Sequence, residues 1–340
     1  MDPNLIPLIE SAIELTDTFP GGPFPMRSQV TLLTGGSMRF FARLEDGERS
    51  IVALFQPGGG EEFENYLEVG NFLRENNIGV PEFYVSDNRK GILLMEDLGL
   101  DDLESILKNA GQDEELSFYR EGIDILFELQ TTVTSALQEA GHPQIAGFDR
   151  AVLLGETEYF AVEFIDGYCG MTPPPGWSKE CELLADRLSS LPPVFIHRDF
   201  QSRNILLTEG RFRLIDFQSA HRGPGLYDTA SFLKDPYHPI LPGTRRTLLM
   251  ELYYRLDEAG VEVPPGFEMY YDDFLYAGIQ RNMQALAAFI RLGTKMGKKH
   301  FLDSIPNGLD LLEEGIDECG NFPAIKAVIG RARSILKEQG

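Results

Sequence analysis

The spacing of hydrophobic positions changes near residue 100, and the change divides the 340-residue chain into two predicted lobes. Leu5, Ile6, Ile9 and Ile13 stand at near-helical spacing and predict an opening helix over 5 to 17. Residues 29 to 56 then alternate as three strands, with Asp46-Gly47 as a hairpin turn. A glycine run, Pro57-Gly58-Gly59-Gly60, leads into a helix over about 61 to 75, and Val80-Pro81 begins a second pair of strands ending at Met95. Beyond residue 100 a period near 3.6 dominates. Ile123, Leu126 and Leu129 continue one helix, and Met283, Leu286, Ala287 and Ile290 form a core-facing stripe on another. The expected architecture is α+β and bilobal, a small antiparallel-sheet lobe over 1 to 98 and a mainly helical lobe over 99 to 340.

One segment interrupts the helical half. Ile205-Leu206-Leu207 reads as a strand, Glu209-Gly210 as a turn and Phe212-Arg213-Leu214-Ile215 as the return strand. This hairpin is flanked by Asp199-Phe200-Gln201-Ser202-Arg203-Asn204 before it and Asp216-Phe217-Gln218 after it. Phosphoryl transfer from ATP asks little covalent work of a protein: metal ions held on the phosphates, an aligned acceptor hydroxyl and a group to take its proton. Asp199 fits the proton acceptor. Asn204, on the same short loop, offers a neutral amide oxygen to magnesium, and the hairpin would return the Asp216 carboxylate beside it. Gly35-Gly36-Ser37, between two predicted strands, would lay backbone N–H groups and a hydroxyl over the triphosphate. His197 is expected to pack and hydrogen-bond the loop, Arg198 and Arg203 to steady it or meet phosphate, and Asp228 to cap a helix.

These residues resemble the aminoglycoside phosphotransferase and choline kinase superfamily, whose members share a bilobal fold with protein kinases. The loop from Arg198 to Asn204, together with Leu33-Thr34-Gly35-Gly36-Ser37-Met38-Arg39-Phe40-Phe41, Leu93 to Gly99, Gln280-Arg281-Asn282-Met283 and Ala288 to Leu292, is similar to the bacterial anomeric kinases of N-acetylmuramate and N-acetylglucosamine, enzymes of cell-wall sugar recycling. The resemblance implies ATP and Mg2+ as the nucleotide and metal, with adenine contacted by the backbone of the Glu96 to Leu98 linker. It places the acceptor in the helical lobe, where Glu156, Glu158 and Glu163 flank Tyr159-Phe160 and where Glu156 and Arg203 are candidate substrate contacts. A hemiacetal hydroxyl is more acidic than an ordinary alcohol, which suits a carboxylate base. Aminoglycoside, choline and homoserine kinases are the alternatives.

The third strand, Ser50 to Gln56, lacks the lysine that in the wider superfamily meets the α- and β-phosphates and pairs with a glutamate on the next helix. The sugar-kinase group departs at the same strand. Arg39 or Arg43, four residues apart, are candidate replacements. The gap also raises a nucleotide-binding pseudokinase, against which stands the retention of Asp199, Asn204 and Asp216.

Composition narrows the partners. Fifty-three acidic against thirty basic residues give a net charge of −23, which argues against nucleic acid or an anionic membrane. Acidity would also suit a polycationic acceptor, although solubility alone accounts for it. Met1-Asp2-Pro3-Asn4 lacks the basic start of a signal peptide, so a cytoplasmic protein is expected. Cys169, Cys181 and Cys319 are too few and too far apart to imply a disulfide framework or a zinc site.

Overall fold

A computed structural model describes residues 6–19, 22–25, 29–33, 39–47, 49–141 and 145–339. The chain divides into two compact units, 1–101 with 205–218, and 102–204 with 219–340.

The first unit is built on a five-stranded antiparallel sheet of β1 (Gln29–Leu33), β2 (Phe40–Glu45), β3 (Ser50–Phe55), β4 (Phe83–Asp87) and β5 (Ile92–Glu96), in the order β1-β2-β3-β5-β4. β3 is central and reads Ile51-Val52-Ala53-Leu54-Phe55 without polar alternation because both of its faces are buried. Helix α1 (Ile6–Leu15) places Ile9, Ala12 and Ile13 in one core with Ala42, Leu44, Ile51, Ala53, Phe55, Ile92 and Leu94. Helix α2 (Glu61–Glu75) buries Phe63, Tyr66, Val69, Phe72 and Leu73, and Tyr66 packs on Phe83 at 5.8 Å and on Phe217 at 4.8 Å.

The hairpin of β7 (Ile205–Thr208) and β8 (Arg211–Leu214), so numbered because β6 (Pro193–Ile196) precedes it, belongs to this unit and not to the helical one in which the sequence had embedded it. Four bonds explain the attachment: Leu214 N–H to the Gly79 carbonyl (2.7 Å), Leu207 N–H to that of Asp101 (3.0 Å), Thr208 Oγ1 to that of Leu98 (2.7 Å), and an ion pair between Arg213 and Glu96. Gly79 has to be glycine there, since a Cβ would lie 2.5 Å from the Phe212 carbonyl oxygen. The predicted turn forms a two-residue loop with Glu209 (φ 52°) and Gly210 (φ 73°) both left-handed, which matches the twist of a tight hairpin.

The second unit is helical, with one small sheet of β6 paired to β9 (His221–Pro224). It comprises α3 (Leu103–Leu107), α4 (Gln112–Glu128), α5 (Thr134–Ala140), α6 (Arg150–Phe160), α7 (Trp177–Ser189), α8 (Gly225–Leu233), α9 (Pro242–Glu258), α10 (Phe267–Ile290), α11 (Ile305–Cys319) and α12 (Pro323–Gln339). The 24-residue α10 is its axis and packs on α6, α7, α8 and α11. Its predicted stripe of Met283, Leu286, Ala287 and Ile290 is buried in a core with Phe160, Phe164, Leu184, Leu309 and Leu312. Among the described residues no helix is long and apolar enough to cross a membrane.

Candidate active site

The loop between β6 and β7 carries Asp199, and the helical unit grips it from several sides. Asp228, in the first turn of α8, accepts hydrogen bonds from the backbone N–H groups of His197 and Arg198, the latter at 2.8 Å. The sequence suggested a helix cap for this aspartate. The N-cap is instead Pro224, and Asp228 is buried and spent on the loop. Burial pushes its carboxyl up to about 7, against the pull of the two amides. Asp235 repeats the device two residues beyond α8, accepting from Ser202 N–H at 2.8 Å and Tyr237 N–H at 2.9 Å. His197 is fully buried, and its Nδ1 accepts from Asp199 N–H at 3.3 Å, the packing role expected of it. Arg203 is held by Glu104 of α3 at 2.5 Å, and its guanidinium lies 3.8 Å from the centre of the Tyr237 ring. Its side chain therefore steadies the loop.

Within this grip the Asp199 side chain stays about one-third exposed and takes one charged partner, Arg281 of α10, whose Nη2 donates to Oδ1 at 3.0 Å. Arg281 is buried and fixed by Ser231 Oγ (2.6 Å), Gln201 Oε1 (3.1 Å) and Gln284. The sequence reading assigned Arg281 no role. The available signal was three consecutive polar residues, Gln280-Arg281-Asn282, within the mainly apolar run from Phe274 to Ile290, since buried polar groups demand partners. Asn204 donates from Nδ2 to the Asp199 carbonyl at 2.9 Å, which commits the nitrogen and leaves Oδ1 as its acceptor atom.

Glu156 is buried and surrounded by donors: Tyr227 OH at 3.0 Å to both oxygens, Arg198 Nη2 at 3.1 Å and Gln280 Nε2 at 3.2 Å. Burial raises its carboxyl above the usual range, and Arg198 opposes this. Glu163 is buried against Lys295 at 2.7 Å, while Glu158 is exposed. The carboxylates proposed for an acceptor amine are thus engaged by the protein itself, Glu158 excepted.

In the sheet unit, Asp216 follows β8 with a left-handed backbone, φ 64°, and Arg198 in the loop has φ 72°. Among the described residues only four non-glycine residues have positive φ, and these two both flank the proposed chemistry, where strained backbone tends to be kept. The β7–β8 register places Asn204 one residue before the Ile205–Leu214 pair and Asp216 two residues after it. Gln218 Nε2 donates to Asp216 Oδ1 at 2.5 Å. Of the candidate phosphate cations, Arg43 pairs with Asp97 at 2.6 Å and donates to the Gly99 carbonyl at 3.2 Å. Burial alone would raise the Asp97 carboxyl, but bonds from Arg43 and the Gly99 amide outweigh it and hold it low. Arg39 lies over the Tyr66 ring at 5.5 Å. The Glu96 side chain pairs with Arg213, and along the backbone from Glu96 to Leu98, expected from the sequence to face adenine, the Leu98 carbonyl accepts from Thr208. Gly35, Gly36 and Ser37 lie outside the described residues.

A sequence profile of the phosphotransferase enzyme family matches residues 30–261. The chain is 27% identical to an N-acetylmuramate/N-acetylglucosamine kinase of Pseudomonas aeruginosa over 87% of this chain and 86% of that protein. It is 30% identical to a protein of the same name from Neisseria meningitidis serogroup B, over 80% of each. Among solved structures, a choline/ethanolamine kinase family protein from Mesorhizobium loti superposes with a TM-score of 0.58 at 14% identity, covering 96% of this chain and 99% of that one. The ADP-bound aminoglycoside phosphotransferase APH(2'')-Ib superposes with a TM-score of 0.53 at 12% identity, covering 93% and 99%. The structural likenesses show a shared fold, and with the profile match over most of its length the chain belongs to the phosphotransferase enzyme family.

Proposed function

We propose that this protein is an ATP- and magnesium-dependent kinase that phosphorylates the anomeric hydroxyl of N-acetylmuramate or N-acetylglucosamine. The observation that carries the reading is the Asp199 carboxylate, presented on a loop fixed by Asp228, Asp235 and Arg281 and still open to an acceptor. Asp199 would take the proton of the acceptor hydroxyl as its oxygen bonds to the γ-phosphorus and the bond to ADP breaks. Asn204 Oδ1 and the Asp216 carboxylate would hold magnesium, an assignment supported by the commitment of the Asn204 nitrogen to the Asp199 carbonyl. The metal, when bound, offsets charge on the phosphates. The sheet unit would carry the nucleotide, with Gly35 to Ser37 and Arg39 at the phosphates and the backbone from Glu96 to Leu98 at adenine. Because ATP is the donor, we place the reaction in the cytoplasm.

The two named relatives support the sugar. The structure weighs against a polyamine acceptor on separate grounds, because Glu156 is engaged by Tyr227, Gln280 and Arg198 and Glu163 by Lys295, which leaves only the exposed Glu158 of the three candidate carboxylates. A cationic acceptor needs unengaged carboxylates.

The test is ADP release across N-acetylmuramate, N-acetylglucosamine, glucose, choline, homoserine and kanamycin, with Asp199→Ala as control. Turnover confined to the N-acetylated sugars and lost in the variant is expected. Turnover on an amine overturns the substrate, and ATP binding without turnover on any acceptor overturns the kinase.

A further inference from the structure

The lysine missing from β3 leaves an electrostatic need, and three side chains of the sheet unit form a polar bridge at the end of that strand. Gln56 directly follows β3, where its amide lies between a cation and a carboxylate. Its Oε1 accepts from Arg39 Nε at 2.9 Å, and its Nε2 donates to Glu62 Oε2 of α2 at 3.0 Å. The carboxylate still comes from the helix after the third strand, but the cation enters from the residue before β2 and an uncharged amide spans the gap. Arg39 lies over the Tyr66 ring at 5.5 Å, and Tyr66 packs at 4.8 Å on Phe217, the residue after Asp216. One ring thus links Arg39 to the segment that carries Asp216 within the same unit.

The geometry points to Gln56 as a positioning residue for the nucleotide: it fixes the plane of the Arg39 guanidinium, with Glu62 anchoring the far side of the amide, so that Arg39 replaces the absent lysine at the ATP phosphates. The inference deepens the proposed kinase reading and rests on it for the identity of the nucleotide. An arginine suits the task because its planar fork matches phosphate oxygens in two-point contact, and a bond to Nε orients that fork. Lysine would need no such orientation, since its ammonium is a point charge.

The test measures MgADP binding by calorimetry, which needs no acceptor, and KM for ATP alongside KM for the sugar. Arg39→Ala, Gln56→Ala, Glu62→Gln and the Arg39→Ala/Gln56→Ala double variant are compared with the parent, and melting temperature reports folding. Gln56→Ala is expected to weaken MgADP and raise the ATP KM about tenfold, a difference of about 1.4 kcal/mol, while the sugar KM and melting temperature hold. Glu62→Gln is expected to have a smaller effect in the same direction. The double variant is expected to bind MgADP no worse than Arg39→Ala, because Gln56 acts through Arg39. Additive losses, or a Gln56→Ala variant that binds like the parent while Arg39→Ala is weakened, overturn the bridge alone. Normal MgADP binding by Arg39→Ala overturns its place at the phosphates and the bridge with it, whatever the acceptor proves to be.

Discussion

Arg281 Nη2 donates to Asp199 Oδ1 at 3.0 Å across 82 residues of sequence, joining the proposed base to the central helix of its unit. Arg281 is itself immobilised by Ser231, Gln201 and Gln284, so the pair sets the direction in which the carboxylate presents its second oxygen. We predict that Arg281→Lys, which keeps the charge and loses the fork, lowers kcat by about a hundredfold, the scale of a misplaced catalytic group, while KM for ATP stays within twofold. Steady-state kinetics on the parent's best acceptor checks it. An unchanged kcat in a folded Arg281→Lys protein would remove the positioning role.

Asp228 gives the stability a pH dependence of definite sign. Its folded carboxyl titrates at about 7 against 3.8 for the ordinary group, with burial as the leading cause. The folded chain therefore holds a proton that the unfolded chain has released, and the contribution is full below the ordinary value and lost as pH rises through about 7. Asp228→Asn is neutral throughout. Urea unfolding between pH 4 and 7 is expected to show the parent losing stability relative to this variant by up to about 1.4 kcal/mol per pH unit. A parent-to-variant difference that stays flat with pH refutes the shift.

Local signals wrote much of this fold into the sequence. The Glu209-Gly210 turn, the three strands before residue 56 and the helix over 61 to 75 all rest on contacts between near neighbours, and each stands where the pattern placed it. The hairpin's allegiance was not legible, because Gly79, Leu98 and Asp101 bind it from over a hundred residues away. For the same reason Asp228 read as a cap, and the donors that surround Glu156 went unseen. A carboxylate's partners depend on tertiary packing, and composition along the chain is silent about whether another element has already claimed it.

The helical unit also buries two cations against one carboxylate. Lys234 and Arg245 are each about 1% exposed and both pair with Glu314, Lys234 at 3.2 Å. Burial lowers Lys234 from the ordinary lysine value, with the Arg245 charge adding to it. Glu314→Gln removes the carboxylate that pairs with both cations and is expected to cost about 3 kcal/mol. Lys234→Met leaves one cation per carboxylate and should cost less. Chemical denaturation ranks the two, and the reverse order, or a Glu314→Gln protein as stable as the parent, contradicts the account.

Asn204 and Asp216 make separable predictions about magnesium. Asn204 holds the loop through Nδ2 and offers Oδ1 to the metal, so Asn204→Asp replaces a donor with a second acceptor facing the Asp199 carbonyl at the 2.9 Å contact. That exchange repels where the parent attracts, and it loosens the loop while adding charge that magnesium favours. We therefore expect Asn204→Asp to lower kcat about tenfold or more, by the misplacement argument, without raising the magnesium concentration needed for half-maximal rate. Asp216→Asn removes a formal charge from a carboxylate whose Oδ1 accepts from the Gln218 amide, so the metal requirement itself should rise. Magnesium titrations at fixed, saturating ATP separate the two responses. If Asp216→Asn reaches half-maximal rate at the parent's magnesium concentration, Asp216 is not the ligand, and the left-handed backbone at that position needs another explanation.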